Sequence, residues 1–198
     1  MLLLGSTTPT GSAETVSENA AFSIQIVDPS PQQPLSPIFT PEVEYWAEQI
    51  LRWAVQAGLD PNLVATVMQI ESCGDPRALS SAGAIGLFQV MPYHFTEADD
   101  PYNPDTNALR GLDYLRRAME ASASDARLAL AGYNGGIGVI DRLESDWPQQ
   151  TRRYAYWGSG IFADAENGYL ESPHLQEWLN SNGISLCRQA SDRLGLTP

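Results

Sequence analysis

Asp60-Pro61-Asn62-Leu63-Val64-Ala65-Thr66-Val67-Met68-Gln69-Ile70-Glu71-Ser72 opens on a helix start and closes on an acid where an apolar residue is due. Asp60 suits an N-cap, and Pro61 suits the first helical position, where a missing N–H costs nothing. Val64, Val67, Met68 and Glu71 then fall at i, i+3, i+4 and i+7, one face of a helix. Desolvation disfavours a charged carboxylate, so Glu71 on that face is expected to hold its proton to a higher pH than usual. A carboxyl still protonated near neutrality can donate a proton to a leaving group. A buried Glu paired with an arginine, or one turned outward at a fraying end, would read the same way in isolation.

Outward from this segment the pattern is helical almost throughout. Thr40-Pro41 is a second N-cap and N1 pair. Val43, Ala47, Ile50, Ala54 and Ala57 follow at helical spacing, and Gly58 stands at a stop position. After Glu71 a Gly- and Ser-rich loop leads to an expected short helix over residues 87–95. Asn103-Pro104 opens a longer helix carrying Ala108, Leu112, Leu115 and Met119, and Asp125 caps another that runs into Tyr133. Further helices are expected over 139–143, 149–162, 174–179 and 186–194. Strand patterns are nearly absent and no repeat is visible. The expectation is an all-α domain over residues 41–198, with its last part a helical extension. Residues 1–40 are expected to form a disordered Pro/Ser/Thr-rich tail or linker, in which Phe22 to Val27 is a brief apolar patch.

Composition narrows the function. Of 198 residues 43% are hydrophobic and 18% charged, so a packed core is expected. The net charge is −13 and all 11 basic residues are arginine, with Arg116-Arg117 and Arg152-Arg153 the densest basic stretches. Such a chain is a poor partner for nucleic acid. No run reaches the ~18 apolar residues that cross a bilayer. Met1-Leu2-Leu3-Leu4-Gly5 has the look of an incomplete signal segment, without a charged n-region or a full apolar stretch. Two cysteines and two histidines at wide spacing make no metal set. Neither a metal nor a cofactor is expected.

Four blocks carry a resemblance. Glu71-Ser72 is followed by Ser80 and then by Gly83-Ala84-Ile85-Gly86-Leu87-Phe88-Gln89-Val90-Met91-Pro92. Ala131-Gly132-Tyr133-Asn134-Gly135-Gly136 and Thr151-Arg152-Arg153-Tyr154 come later. In this order and spacing the blocks resemble the soluble lytic transglycosylase and goose-type lysozyme superfamily, across residues 41–165. The resemblance implies a lysozyme-like helical fold and cleavage of peptidoglycan glycan strands by a monomer in the cell envelope or outside the cell. It also implies that Glu71 serves as sole acid and base, since no persuasive second carboxylate is present: Asp75 reads as a turn former, and Asp99 and Asp100 as solvated. Most glycosidases use two carboxylates, and substrate-assisted enzymes are the exception. By the same resemblance Ser80 and Gln89 contact the sugars, Met91 walls the cleft, the Tyr133 hydroxyl lies near the acid, Asn134 supports the cleft, and Tyr154 is the tyrosine of the last block. Phe88 and Gly132 depart from the usual methionine and alanine without removing the acid. Because export is implied, Cys73 and Cys187 are expected to pair as a disulfide, with two buried thiols the alternative. A hydrolytic goose-type lysozyme, a chitin-active glycosidase and a non-catalytic glycan-binding module remain as rival functions.

Overall fold

The computed structural model describes residues 34–196. The expectation of a tail over residues 1–40 falls largely outside them, as does the Phe22 to Val27 patch. Residues 34–40 pack on the domain. Ile38 and Phe39 are buried, the Ser36 N–H donates to Asn62 Oδ1 at 3.0 Å, and the Thr40 N–H donates to Gln69 Oε1 at 3.1 Å. The packed body therefore begins upstream of the expected Pro41, because this short apolar run finds a buried amide on either side to satisfy its backbone.

Eight α-helices follow: α1 (Pro41–Glu44), α2 (Ala47–Ala57), α3 (Pro61–Ser72), α4 (Pro104–Ala121), α5 (Ala126–Gly135), α6 (Gln149–Glu166), α7 (Pro173–Trp178) and α8 (Ile184–Leu194). Three 3₁₀ turns, Pro92–His94, Ile137–Val139 and Glu144–Asp146, punctuate the connections. Among the described residues there is no strand, only isolated bridges pairing Leu79 with Ile85 and Ile85 with Val90. The capping residues act as their types predict. Asp60 accepts from the N–H groups of Asn62 and Leu63, Asn103 from Thr106, and Asp125 from Leu128. Gly58 ends α2 in the left-handed region at φ 65°.

Helix α3 is the hub. It packs against α1, α2, α6 and α8, and Leu63 to Gln69 are all buried. The expected single helix after Thr40 is broken between Glu44 and Ala47. Thr40 makes no side-chain cap, since its hydroxyl turns instead to Gln69.

The helix expected over 87–95 also differs, shrinking to the turn Pro92–His94. Gln89 sits at φ 46° and Gly86 at φ 75°, and neither fits a right-handed helix. The side chain of Asn107, on α4, holds this stretch in place. Its Oδ1 accepts the Phe88 N–H at 2.9 Å, and its Nδ2 donates to the carbonyls of Ile85 and Pro101 at 2.8 and 3.0 Å.

At the C-terminal end, α7 and α8 join through a π-helical turn, Leu179–Gly183, so the two expected helices form one continuous run. Cys73 and Cys187 are joined as a disulfide, with 5.0 Å between their Cα atoms, and this pins α8 beside the end of α3. The buried Asp75 adds to that junction, accepting from Gln189 Nε2 at 2.8 Å and from the Arg77 N–H, as expected of a turn former. No helix of the described residues is long and apolar enough to cross a membrane.

Candidate active site

Glu71 stands one residue from the end of α3, where the helix meets two depressions. The first, about 550 Å³, is lined by Ser80, Gln89, Met91, Tyr114 and Tyr133 among others. The second, about 370 Å³, is lined by Ile70, Tyr154, Trp157 and Trp178 among others. Glu71, Asn134 and Gln150 belong to both, so the depressions meet at the acid. No other carboxylate lines either one among the described residues. A separate groove of about 540 Å³ between α2 and α4, lined by Arg52, Trp53 and Leu109, shares no residue with them. Its Asp105 is held below the ordinary carboxylate range by hydrogen bonds from Trp53 and Arg52, so it is no candidate acid.

The environment of Glu71 fits a proton donor. Although the side chain opens onto the cleft and is only half-buried, crowding by protein around the carboxyl raises its pKa from 4.5 to about 8, and the neighbouring Tyr154 hydroxyl partly offsets the rise. That hydroxyl is near enough to polarise Glu71 but makes no formed hydrogen bond. It is one of three buried side-chain polar atoms without a partner among the described residues. Burial and then the Glu71 charge push the Tyr133 and Tyr154 hydroxyls well above their ordinary pKa. Both are therefore neutral at physiological pH and can only donate or accept hydrogen bonds.

The residue after the acid positions the loop. Ser72 Oγ donates to the Leu87 carbonyl at 2.7 Å and accepts the Gly74 N–H at 3.1 Å. Tyr133 is near Glu71, yet its hydroxyl donates to the Phe88 carbonyl at 2.7 Å. Its hydrogen bond therefore braces the loop and is not made to the acid. Gly111 on α4 allows this approach, since a Cβ there would stand 2.6 Å from Phe88 Cβ and 3.2 Å from the Tyr133 hydroxyl oxygen. Gln89 Nε2 donates to the Gly86 carbonyl at 3.0 Å, which leaves its own amide oxygen available to the cleft. Ser80 Oγ accepts the Ala84 N–H, and Asn134 Oδ1 accepts from Thr151 Oγ1 at 3.1 Å.

Residues 48–155, more than half of the chain, match the family described as the transglycosylase SLT domain. The chain belongs to that family. It is 36% identical over 111 residues to the transglycosylase of Enterobacteria phage PRD1, covering 55% of this chain and 40% of the relative. It is 30% identical over 115 residues to the membrane-bound lytic murein transglycosylase C of Actinobacillus succinogenes, and 32% identical over 115 residues to that of Haemophilus influenzae strain PittEE. In both cases 48% of this chain and 32% of the relative are covered. The match thus spans only a third to two-fifths of the length of these relatives.

Glu71 and the six expected sugar-contacting residues lie along the two adjoining depressions. Ser80, Gln89, Met91, Tyr133 and Asn134 face the first depression, while Tyr154 and Asn134 face the second. Sequence reasoning missed Tyr93, His94 and Tyr114. With Tyr133 and Tyr154 they form a continuous aromatic row, with successive ring centroids 4.6, 4.9, 5.8 and 6.5 Å apart. Sugars are bound well by such faces because ring C–H groups pack on them. Tyr114 lies three residues beyond Gly111 and seven beyond Asn107, so the helical face of α4 could have marked it. Asp99 is not solvated as expected. Arg110 holds it in an ion pair at 2.8 Å, and the Thr96 N–H is the first cause of its lowered pKa. Among possible metal ligands, Glu42, Cys73 and Cys187 come together, but the disulfide leaves no thiolate to bind an ion.

Proposed function

We propose that this chain is a lytic transglycosylase that cleaves the β-1,4 bond between N-acetylmuramic acid and N-acetylglucosamine in peptidoglycan, with Glu71 as its one acid and base. The observation that carries the reading is a single carboxyl of raised pKa, about 8, where two depressions meet. Near neutral pH that carboxyl holds a proton, which passes to the glycosidic oxygen as the bond from C1 breaks. The acetamido oxygen of the same muramic acid residue supports C1 in place of a second carboxylate. The Glu71 carboxylate then takes the proton of the C6 hydroxyl while O6 bonds to C1. The acid is restored, no water is consumed, and the new end is a 1,6-anhydro sugar. Ser80, Gln89, Met91, Asn134 and the aromatic row hold the strand, and Tyr133 and Tyr154 bound the acid with neutral hydroxyls. The names of the membrane-bound murein relatives support a place in the cell envelope, where the chain is proposed to act on glycan strands as a monomer, without metal or cofactor. Mass analysis of products from purified strands tests the reading. Products one water lighter than hydrolysis products are expected, and predominantly reducing ends would overturn it in favour of a hydrolytic lysozyme.

A further inference from the structure

Glu42 is a buried carboxylate that its neighbours do not account for. It stands in the first turn of α1 and is 8% exposed, yet it makes no ion pair among the described residues. Ser191 Oγ, on α8, donates to its Oε1. Its Oε2 faces Cys73 Sγ at 3.9 Å, and a disulfide sulfur has no proton to donate. Arg193, on the same helix as Ser191, turns instead to Asp75 at 3.8 Å. A carboxylate taken out of water is costly unless it is paired or binds a metal.

The two sulfurs beside it sit among polar groups. Gln69 Nε2 donates to Cys73 Sγ at 3.1 Å and reaches Cys187 Sγ at 3.5 Å, while Thr40 Oγ1 lies 3.4 Å from Cys73 Sγ. A neutral sulfur accepts weakly, so a buried amide aimed at both suits thiolates better than a disulfide. The carboxylate oxygen and the two sulfurs lie within 4.8 Å of one another. Two sulfurs held at ~2.3 Å by one tetrahedral zinc stand ~3.7 Å apart. Cysteines whose Cα atoms are 5.0 Å apart can supply that separation once the S–S bond is open.

We propose that in the reduced chain Cys73, Cys187 and Glu42 hold a thiophilic divalent cation of the zinc class, with Gln69 donating to the sulfur ligands. A dithiol reductant gives two electrons and two protons to the disulfide, becomes a disulfide itself, and leaves two thiols. The cation displaces both thiol protons to solvent and forms two metal–sulfur bonds, with a Glu42 oxygen as third ligand and water as fourth. Helix α8 is thus fastened to α3 in either redox state, by a sulfur–sulfur bond in an oxidising compartment and by a cation in a reducing one. The cation is structural and takes no part in cleavage. It holds the run that brings Trp178 and Ser181 to the second depression before the disulfide forms.

The test uses the full chain, unfolded, reduced, and refolded under reductant with cobalt(II), with zinc(II) or with a chelator. Cobalt should bind at one ion per chain, with a sulfur-to-metal charge-transfer band and the visible bands of a tetrahedral site, and zinc should displace it. The melting temperature of the reduced protein should be higher with zinc than with chelator. A reduced chain that folds only with zinc supports the site as well. Protein with its disulfide intact should show neither the band nor the shift. Cys187→Ser should abolish binding. Glu42→Gln keeps both thiols and should weaken zinc binding by on the order of 10-fold or more, at least the effect of losing an outer-shell partner. Its fold is checked on the disulfide-bonded form. Where that variant does not refold, Ser191→Ala, which removes the donor that aims the carboxylate, should weaken binding by about 10-fold. Reduced protein without the band or the shift, equal binding by the oxidised protein, or zinc affinity unmoved by the Glu42 and Ser191 changes overturns the site.

Discussion

Glu71 gains its proton from its surroundings, and the same surroundings tie it to stability. Its pKa of about 8 in the folded protein exceeds the ordinary 4.5, so the native state binds the proton more tightly than the unfolded chain does. The stabilisation from this group is complete below about pH 4.5 and is lost as pH rises towards 8. Glu71→Gln cannot ionise. Its melting temperature should therefore gain on that of the parent between pH 4.5 and 8, as thermal melts across that interval will show. Cleavage by the variant should fall by on the order of 10²–10⁴-fold, because one group supplies both proton steps. The Tyr154 hydroxyl lowers the Glu71 pKa, so Tyr154→Phe should move the alkaline limb of the pH–rate profile upwards. The fold should tolerate the change, since a buried hydroxyl without a partner itself costs ~1–3 kcal/mol. A limb that stays put or moves down would contradict the assignment. The sequence marked Glu71 by an apolar stripe, but α3 is buried on nearly every side. Asn62, Thr66 and Gln69 are buried polar residues too, each with a partner: Ser36 and Glu166 for Asn62, its carbonyl for Thr66, Thr40 for Gln69. What sets Glu71 apart is a carboxyl with no ion pair, and periodicity could not show that.

At the scale of elements, capping was legible and loop geometry was not. Asp60, Asn103 and Asp125 each start a helix where their side chains suggest, because a cap is a local bond between near neighbours. The segment 87–95 was misread because its conformation is set by Asn107, about twenty residues away. That amide replaces the hydrogen bonds a helix would have made, and no local propensity records it. Asn107→Ala should therefore cost about 2–4 kcal/mol, from three lost hydrogen bonds and a stranded Phe88 N–H, read as a lower midpoint in urea. Activity should fall with it, because Gln89 and the Phe88 carbonyl that holds Tyr133 both ride on this loop. Unchanged stability would show that the loop holds itself. Tyr93, His94 and Tyr114 stayed hidden for a related reason. Each is an ordinary aromatic in its own segment, and only the packing of the Met91-Pro92 turn against α4 joins them into a row.

Across the whole molecule, the four sequence blocks come together at one cleft, while the extension that closes its second side carries no motif and could not be read in advance. The disulfide fastens that extension, and it spans 114 residues of sequence. Reduction, or replacement of both cysteines by serine, should lower stability by about 2–4 kcal/mol in guanidinium titrations. A titration curve indifferent to reductant would mean the extension is held by packing alone. The disulfide also closes a covalent ring that contains α4, α5, α6 and α7, with α3 attached at Cys73. The connection between α6 and α7 is an exposed stretch of that ring, with Leu170 80% accessible. A protease that cuts there opens the ring and releases nothing. The two pieces still migrate together until a reductant is added, and Trp178 and Ser181 remain covalently tied to the helix that bears Glu71. In any oxidising compartment, a single cut at this connection leaves the molecule one covalent unit.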